Sequence, residues 1–244
     1  MTTPDFFEAI QRSGAHHSGK NFAFYLEQVM SGVELEGKRV LDIGGGVGNL
    51  TFYAASRGAS LAVCLEPEFE GSSTGMQDTF ERTAALMQTG ERVRLVRETI
   101  QNFVWDGEPF DIVILHNSIN HLDEPATERL HRDEGAREAF REIFRKIGAL
   151  TSPGARMLIA DCDRYNLWRF IPGVTNPVAR TIEWEKHQPP GRWAEVARAG
   201  GFEKERVIWT TFNVLRGPGR LLLSNRLAAY MLMSHFAMWM RKSG

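Results

Sequence analysis

Only two cysteines, Cys64 and Cys162, occur among the 244 residues of this sequence. Both sit inside apolar runs that read as buried strands, so they are expected to pack in the core. Neither a disulfide framework nor a cysteine metal site can be built from them. A charge excess is missing as well: 29 Lys and Arg stand against 30 Asp and Glu, a formal net charge of −1. A dedicated nucleic-acid binder carries a strong basic excess, so no nucleic-acid partner is expected. No long apolar run is free of polar interruption. Leu221 to Met240 comes nearest, but Asn225, Arg226 and His235 break it, and a spanning helix needs about 20 predominantly apolar residues. It reads instead as a helix, about Leu221 to Met231, followed by a strand over His235 to Arg241. Met1 to Ile10 lacks a basic start leading into an apolar stretch and carries Asp5 and Glu8. No secretory leader is therefore expected, and the expected location is cytoplasmic. Internal repeats and low-complexity tracts are absent too.

What remains is the composition of an ordinary soluble globular protein, 43% hydrophobic and 24% charged, long enough for one α/β domain. Short apolar runs alternate with helical segments. Arg39 to Ile43, Leu61 to Leu65, Val93 to Val96, Asp111 to Leu115 and Met157 to Ala160 read as five strands. Gly201-Phe and the run Arg206 to Asn213 suggest a sixth. Helices are expected at about Phe22 to Met30, Leu50 to Arg57, Ser73 to Gln88 and Ala136 to Leu150. In the last, Phe140, Ile143, Phe144 and Ile147 recur at helical spacing and give one apolar face. Ser152-Pro-Gly154 reads as a turn into the fifth strand. Strands apolar on both faces, alternating with helices, imply a parallel sheet covered on both sides. Two regions stand outside this alternation: residues 1–37, and a stretch rich in aromatics and prolines at about 163–192. Long excursions of that kind tend to carry function, and both are candidate lids.

The most informative stretch is Val40-Leu-Asp-Ile-Gly-Gly-Gly-Val-Gly-Asn-Leu-Thr51. A strand leads into Asp42, glycines fall at Gly44, Gly45, Gly46 and Gly48, and a helix follows. Glycine lets a backbone turn sharply and pass close to a ligand, and a loop at the carboxyl end of a first strand holds a nucleotide-like ligand in such folds. A dinucleotide fingerprint requires G-x-G-x-x-G; counted from Gly44 its third glycine falls on Asn49, which argues against a nicotinamide oxidoreductase. The second strand ends in Glu66, whose carboxylate can accept from both hydroxyls of a ribose.

Asp42-x-Gly44-x-Gly46-x-Gly48, with Glu66 ending the second strand, resembles motif I of the class I, Rossmann-like S-adenosylmethionine-dependent methyltransferases. The resemblance covers Lys38 to Asp161 and the closing strand. It implies a three-layer α/β/α fold with a mostly parallel seven-stranded sheet and an antiparallel last strand. It implies S-adenosyl-L-methionine as cofactor and S-adenosyl-L-homocysteine as product, with Asp42 organising the end that binds the amino acid portion. Glu66 and Pro67 would lie at the ribose, Thr99 and Ile100 beside the adenine, and His116 and Asn117 beneath the methionine end. Residues 1–37 would form a helical lid on a methyltransferase domain of residues 38–244, with a substrate-side insertion at about 163–192.

The acceptor leaves weaker marks. Methyl transfer needs an aligned nucleophile and, for an aliphatic or sugar hydroxyl, a base. His121, just past the fourth strand, and His187, in Glu183-Trp-Glu-Lys-His187, are the candidate bases. Glu183 and Glu185 crowd His187, and Tyr165, Trp168 and Trp184 are candidate substrate walls. Asp161 and Asp163, with His121 or Asp123, offer oxygen ligands for a divalent cation. Metal-dependent catechol-type relatives end this strand in an Asp-Asn pair, which Asp161-Cys-Asp163 lacks, so no metal is expected. His116-Asn-Ser-Ile119 does not match the Asn- or Asp-Pro-Pro-aromatic motif of methylators of nucleic-acid and protein amino groups. The expectation is methylation of a small-molecule acceptor, a saccharide, natural product or lipid-linked intermediate, with oxygen favoured. Nitrogen or carbon methylation, and a non-catalytic cofactor-binding partner, are the alternatives; the oligomeric state is not encoded in any motif.

Overall fold

The computed structural model describes residues 5–67, 75–171 and 173–243. The chain divides into two compact units, Met1–His116 and Asn117–Gly244.

The first unit opens with helices α1 (Phe6–Arg12) and α2 (Gly19–Val29). Asp5 and Ser18 begin them by accepting the backbone N–H of Glu8 and Asn21, donors that a helix start otherwise leaves unpaired. Then come β1 (Arg39–Ile43), α3 (Asn49–Ser56), β2 (Leu61–Leu65), α4 (Met76–Met87), β3 (Val93–Val96) and β4 (Phe110–His116). Three of these strands have the bounds read from their apolar runs, and β4 gains one residue at each end. Of the expected helix from Ser73, its first two residues lie outside the described residues. All pairings here are parallel: β1 with β2 and β4, and β2 with β3. Parallel strands need both faces covered, and Val40, Leu41, Ile43, Val63, Leu65 and Val113 are accordingly buried. Each such aliphatic side chain contributes about 2 kcal/mol of transfer free energy.

The second unit contains α5 (Glu124–Arg129), α6 (Glu134–Ala149), β5 (Thr151–Cys162), α7 (Pro190–Ala197), β6 (Phe202–Trp209), α8 (Arg216–Leu223), α9 (Arg226–Met231) and β7 (His235–Lys242). β7 runs antiparallel to both β5 and β6. The expected stripe of α6 is buried at Phe140, Ile143, Phe144 and Ile147, and Phe140 meets the ring of Trp193 edge-on at 5.0 Å. Three elements differ from the sequence reading. Ser152-Pro-Gly154 lies within β5 rather than before it, because α6 already stops at Ala149. The sixth strand ends at Trp209, not Asn213. The helix expected over Leu221 to Met231 is two helices, because Asn225 accepts the N–H of Ala228 and starts α9 afresh. Between β5 and α7, among the described residues, only two short 3-10 turns, Leu167–Phe170 and Trp184–Lys186, interrupt irregular chain.

The strand order is β3-β2-β1-β4-β5-β7-β6 in one seven-stranded sheet, mostly parallel with an antiparallel last strand and flanked by helices, as the resemblance in the sequence implied. Among the described residues, no helix is long and apolar enough to cross a membrane.

Candidate active site

In the first unit, β1 carries Asp42 into the core and the glycine loop follows. The buried Asp42 accepts with Oδ2 from the Thr51 N–H at 3.1 Å and the Thr51 hydroxyl at 2.8 Å, tying the strand end to the first turn of α3. Its Oδ1 is buried and has no hydrogen-bond partner among the described residues. Burial pushes the carboxyl pKa up to about 6, against the lowering effect of the Thr51 bonds, and the Glu66 charge adds to the rise. Between Asp42 and Thr51 the backbone turns through Gly44 (φ 67°), Gly46 (φ 56°) and Gly48 (φ 80°).

Two contacts from the end of β2 hold this loop: the Gly44 N–H donates to the Leu65 carbonyl at 2.7 Å and the Gly46 N–H to Glu66 Oε2 at 2.8 Å. A β-carbon at Gly45 would lie 2.7 Å from Cys64 Sγ and 2.8 Å from Asp42 Oδ2, and one at Gly48 only 2.6 Å from the Phe80 ring. These two glycines are demanded by packing. At Gly46, by contrast, the nearest atom a β-carbon would meet among the described residues is Met76 Sδ at 3.7 Å, so packing within them does not demand this glycine. A backbone cradle, a carboxylate fixed beside it and a buried carboxylate oxygen without a donor fit S-adenosylmethionine.

The remaining cofactor candidates are distributed around this unit. Pro67 is half-buried directly after Glu66. Thr99 turns the chain by accepting from the Asn102 N–H through both Oγ1 and its carbonyl, while Ile100 is buried in the core. His116 Nε2 lies 2.8 Å from the hydroxyl of Tyr25 on α2, a partner that no local pattern in the sequence announced. The α1–α2 connection is tied to the following helices: Asn49 Nδ2 donates to the Ala15 carbonyl, and the Arg82 guanidinium to that of Ser13. His16 stacks on Phe22 at 4.6 Å, and burial pushes its pKa down.

In the second unit, Asn117 (φ 53°) directly follows β4, and its N–H donates to the Ala160 carbonyl. It borders a cavity of about 230 Å³ whose lining includes Asn120, His121, Asp161, His187 and His235. Here the structure brings both candidate bases together. His187 Nδ1 lies 2.9 Å from Asp161 Oδ1, and the Asp161 side chain is only 2% exposed. Its other oxygen is buried without a hydrogen-bond partner among the described residues. The expected neighbours of His187 are occupied elsewhere: Glu183 pairs with Lys186 at 2.9 Å and Glu185 with Arg169 at 3.3 Å. The acid on His187 is therefore Asp161. His121 stands at the rim, its imidazole 57% exposed, with Nδ1 2.6 Å from Glu124 Oε1. His235, to which the sequence assigned no role, reaches the cavity because β7 sets it opposite Cys162, and desolvation pushes its pKa down.

The three candidate substrate walls are not in this cavity. Tyr165 lines a second one of about 570 Å³, and Trp168 and Trp184 a third of about 480 Å³. Trp184 is buried, and the Trp168 indole N–H is already bound to the Met231 carbonyl at 2.7 Å. Of the acids considered for a cation, Asp123 caps α5 and Asp163 accepts from the Tyr165 N–H. Among the described residues, one cluster has metal-ligating types, Asp161, Cys162 and His187, with ligand atoms all within 4.8 Å of one another.

Comparison with known proteins agrees with the fold. A family model described as a methyltransferase domain matches residues 16–205. The ubiquinone biosynthesis O-methyltransferase of Marinobacter nauticus is 24% identical over 191 residues, 74% of this chain and 70% of that protein. An S-adenosylmethionine-dependent methyltransferase from Mesorhizobium loti superposes with a TM-score of 0.55 at 17% identity, covering 86% of this chain and 93% of that one. The magnesium protoporphyrin IX methyltransferase of Synechocystis PCC 6803, solved with bound SAH, gives 0.54 at 15% identity over 97% of this chain and 86% of its own. The chain belongs to the methyltransferase domain family and is an S-adenosylmethionine-dependent methyltransferase.

Proposed function

We propose that this enzyme methylates a hydroxyl oxygen of a small-molecule acceptor, with His187 as the general base and Asp161 as the group that orients it. The observation carrying the proposal is the 2.9 Å contact between His187 Nδ1 and the buried Asp161 carboxylate. A carboxylate out of water needs a donor, so Nδ1 keeps its proton and Nε2 is left as the acceptor. S-adenosylmethionine, when bound, supplies an electrophilic methyl group on its sulfonium. In this reading Glu66 accepts from the ribose hydroxyls, Gly44 to Gly48 shape the backbone around the cofactor, and Asp42 fixes that loop through Thr51. His187 Nε2 would take the proton of the acceptor hydroxyl as that oxygen is methylated. Asp161 then faces an imidazolium, which it stabilises. The Marinobacter relative, named as an O-methyltransferase, supports oxygen as the acceptor. Residues 1–37 and 163–192 serve in this reading as coverings of the cofactor and acceptor, and the setting is cytoplasmic.

The test is methyl transfer from labelled S-adenosylmethionine to panels of hydroxylated and amino acceptors. His187→Ala and Asp161→Asn should each lower kcat by about 10²–10⁴-fold on a hydroxylated acceptor, with cofactor affinity by calorimetry unchanged. Full turnover in both variants, or activity confined to amines, would sink the reading. A second reading rests on the Asp161, Cys162 and His187 cluster, in which a transition metal takes the nitrogen assigned here to the base. Loss of turnover on chelation, restored by zinc and not by magnesium, would select it.

A further inference from the structure

Twelve large hydrophobic side chains are exposed among the described residues, and all but Val104 lie in two stretches, 165–178 and 214–231. Monomeric soluble proteins rarely gather exposed apolar side chains in this way without a partner. The two stretches belong to one surface. The Trp168 indole N–H donates to the Met231 carbonyl, and Asn166 Nδ2 and Asn176 Nδ2 both donate to that of Leu232. Tyr165 and Phe170 from the first stretch and Arg226, Leu227 and Tyr230 from the second line the same cavity of about 570 Å³. The most exposed members are Leu221 at 84% and Leu222 at 69% on α8, Leu227 at 69% on α9, and Val214 at 69% just before α8.

Charge identifies what covers this face. Residues 165–178 and 214–231 contain four Arg and no Lys, Asp or Glu, in a chain where acids slightly outnumber bases; of the four, Arg169 pairs with Glu185 at 3.3 Å. Arg180, Arg216, Arg220 and Arg226 are exposed, with no carboxylate at ion-pair distance among the described residues. The one acid lining the cavity beside Arg226, Asp163, is buried. Arg226 is near enough to Asp163 for its charge to lower that carboxyl's pKa, but exposed leucines interleaved with Arg216 and Arg220 on short helices match a surface that lies in the headgroup region of a bilayer, leucines down and guanidinium groups at the phosphates. A protein partner of matched apolar shape would not require so one-sided a charge.

We infer that the face formed by α8, α9 and residues 165–171 and 173–178 docks on a membrane rich in anionic phospholipid, holding the enzyme at the bilayer without spanning it. This docking is independent of the reaction proposed above, because it is read without turnover. The experiment is co-sedimentation of the full chain with vesicles of phosphatidylcholine alone or with added phosphatidylglycerol, at low and at high salt. The chain should pellet with the anionic vesicles at low salt and be released at high salt, where the Debye length shrinks. Arg216→Ser with Arg220→Ser should weaken partitioning about 25-fold, at about fivefold for each arginine near the surface. Leu221→Ser with Leu222→Ser should also weaken it. Both double variants should keep the circular dichroism and S-adenosylmethionine affinity of the parent. No sedimentation with anionic vesicles at low salt, or unchanged sedimentation of folded variants, would overturn the inference. So would a dimer, seen by sedimentation velocity without lipid, that Leu221→Ser with Leu222→Ser dissociates; the face would then belong to a second copy of the chain.

Discussion

Asp42→Asn separates the structural work of the glycine loop from its charge. The carboxylate is buried, two Thr51 donors do not compensate its desolvation, and its pKa rises from 3.8 to about 6. A raised carboxyl pKa means that the folded state holds a proton the unfolded chain releases, so this group's contribution to stability falls as pH rises between those two values. The full penalty above the folded pKa is about 3 kcal/mol, from two pKa units at 1.36 kcal/mol each. Between about pH 4.5 and about pH 7.5, the part that changes is about 2 kcal/mol. Asparagine keeps the side-chain shape and an oxygen acceptor for Thr51 but carries no charge to desolvate. The variant should therefore gain about 2 kcal/mol relative to the parent as pH is raised across that interval, whatever its offset at either end. Urea unfolding of both proteins at the two pH values, without cofactor, measures the difference. Parallel stability curves would refute the argument, and with it the view that Asp42 is held charged at a cost.

Three further outcomes follow from the same geometry. Glu66→Ala removes the carboxylate that accepts from the Gly46 N–H, a charged hydrogen bond of about 2 kcal/mol. S-adenosylmethionine affinity by calorimetry should fall at least about tenfold, and undiminished binding would remove Glu66 from the cofactor site. Gly48→Ala puts a β-carbon 2.6 Å from the Phe80 ring at φ 80°; overpacking and left-handed strain together should cost about 3 kcal/mol in urea unfolding. His121→Ala should lower kcat by less than His187→Ala does, since its exposed ring is paired with Glu124 at the cavity rim, and the reverse order would move the base to His121.

The sheet was readable because its pattern is local. β1 and β2 are short and covered on both faces, so the ends of their apolar runs are the ends of the strands. β5 broke that rule at its start. Thr151 to Ala155 precede the ladder with β7, which begins at Arg156, so Pro153 and a left-handed Gly154 disturb no bond to that neighbour. A proline and a glycine that read as a turn are tolerated where one edge is unpaired. The glycine loop was readable for a related reason: Asp42, Thr51 and Glu66 all lie within one strand–helix–strand unit. The placement of Tyr165, Trp168 and Trp184 was not readable, because weak periodicity in residues 163–192 does not say which aromatic side chain faces which cavity.

The acid on His187 shows where sequence proximity misleads. Glu183 and Glu185 are four and two residues away, whereas Asp161 is 26 residues away on another element. Proximity favours the glutamates, but they stand on a solvated turn where Lys186 and Arg169 meet them, and water would serve them nearly as well. Asp161 ends the apolar run Met157-Leu-Ile-Ala160, on a strand buried on both faces. A carboxylate delivered there loses its hydration and has to find a donor inside the protein. The imidazole N–H of His187 is that donor, and the second Asp161 oxygen still has none among the described residues. The signal was in the sequence as an acid closing a buried strand: burial decides which carboxylate orients a histidine, and distance along the chain does not.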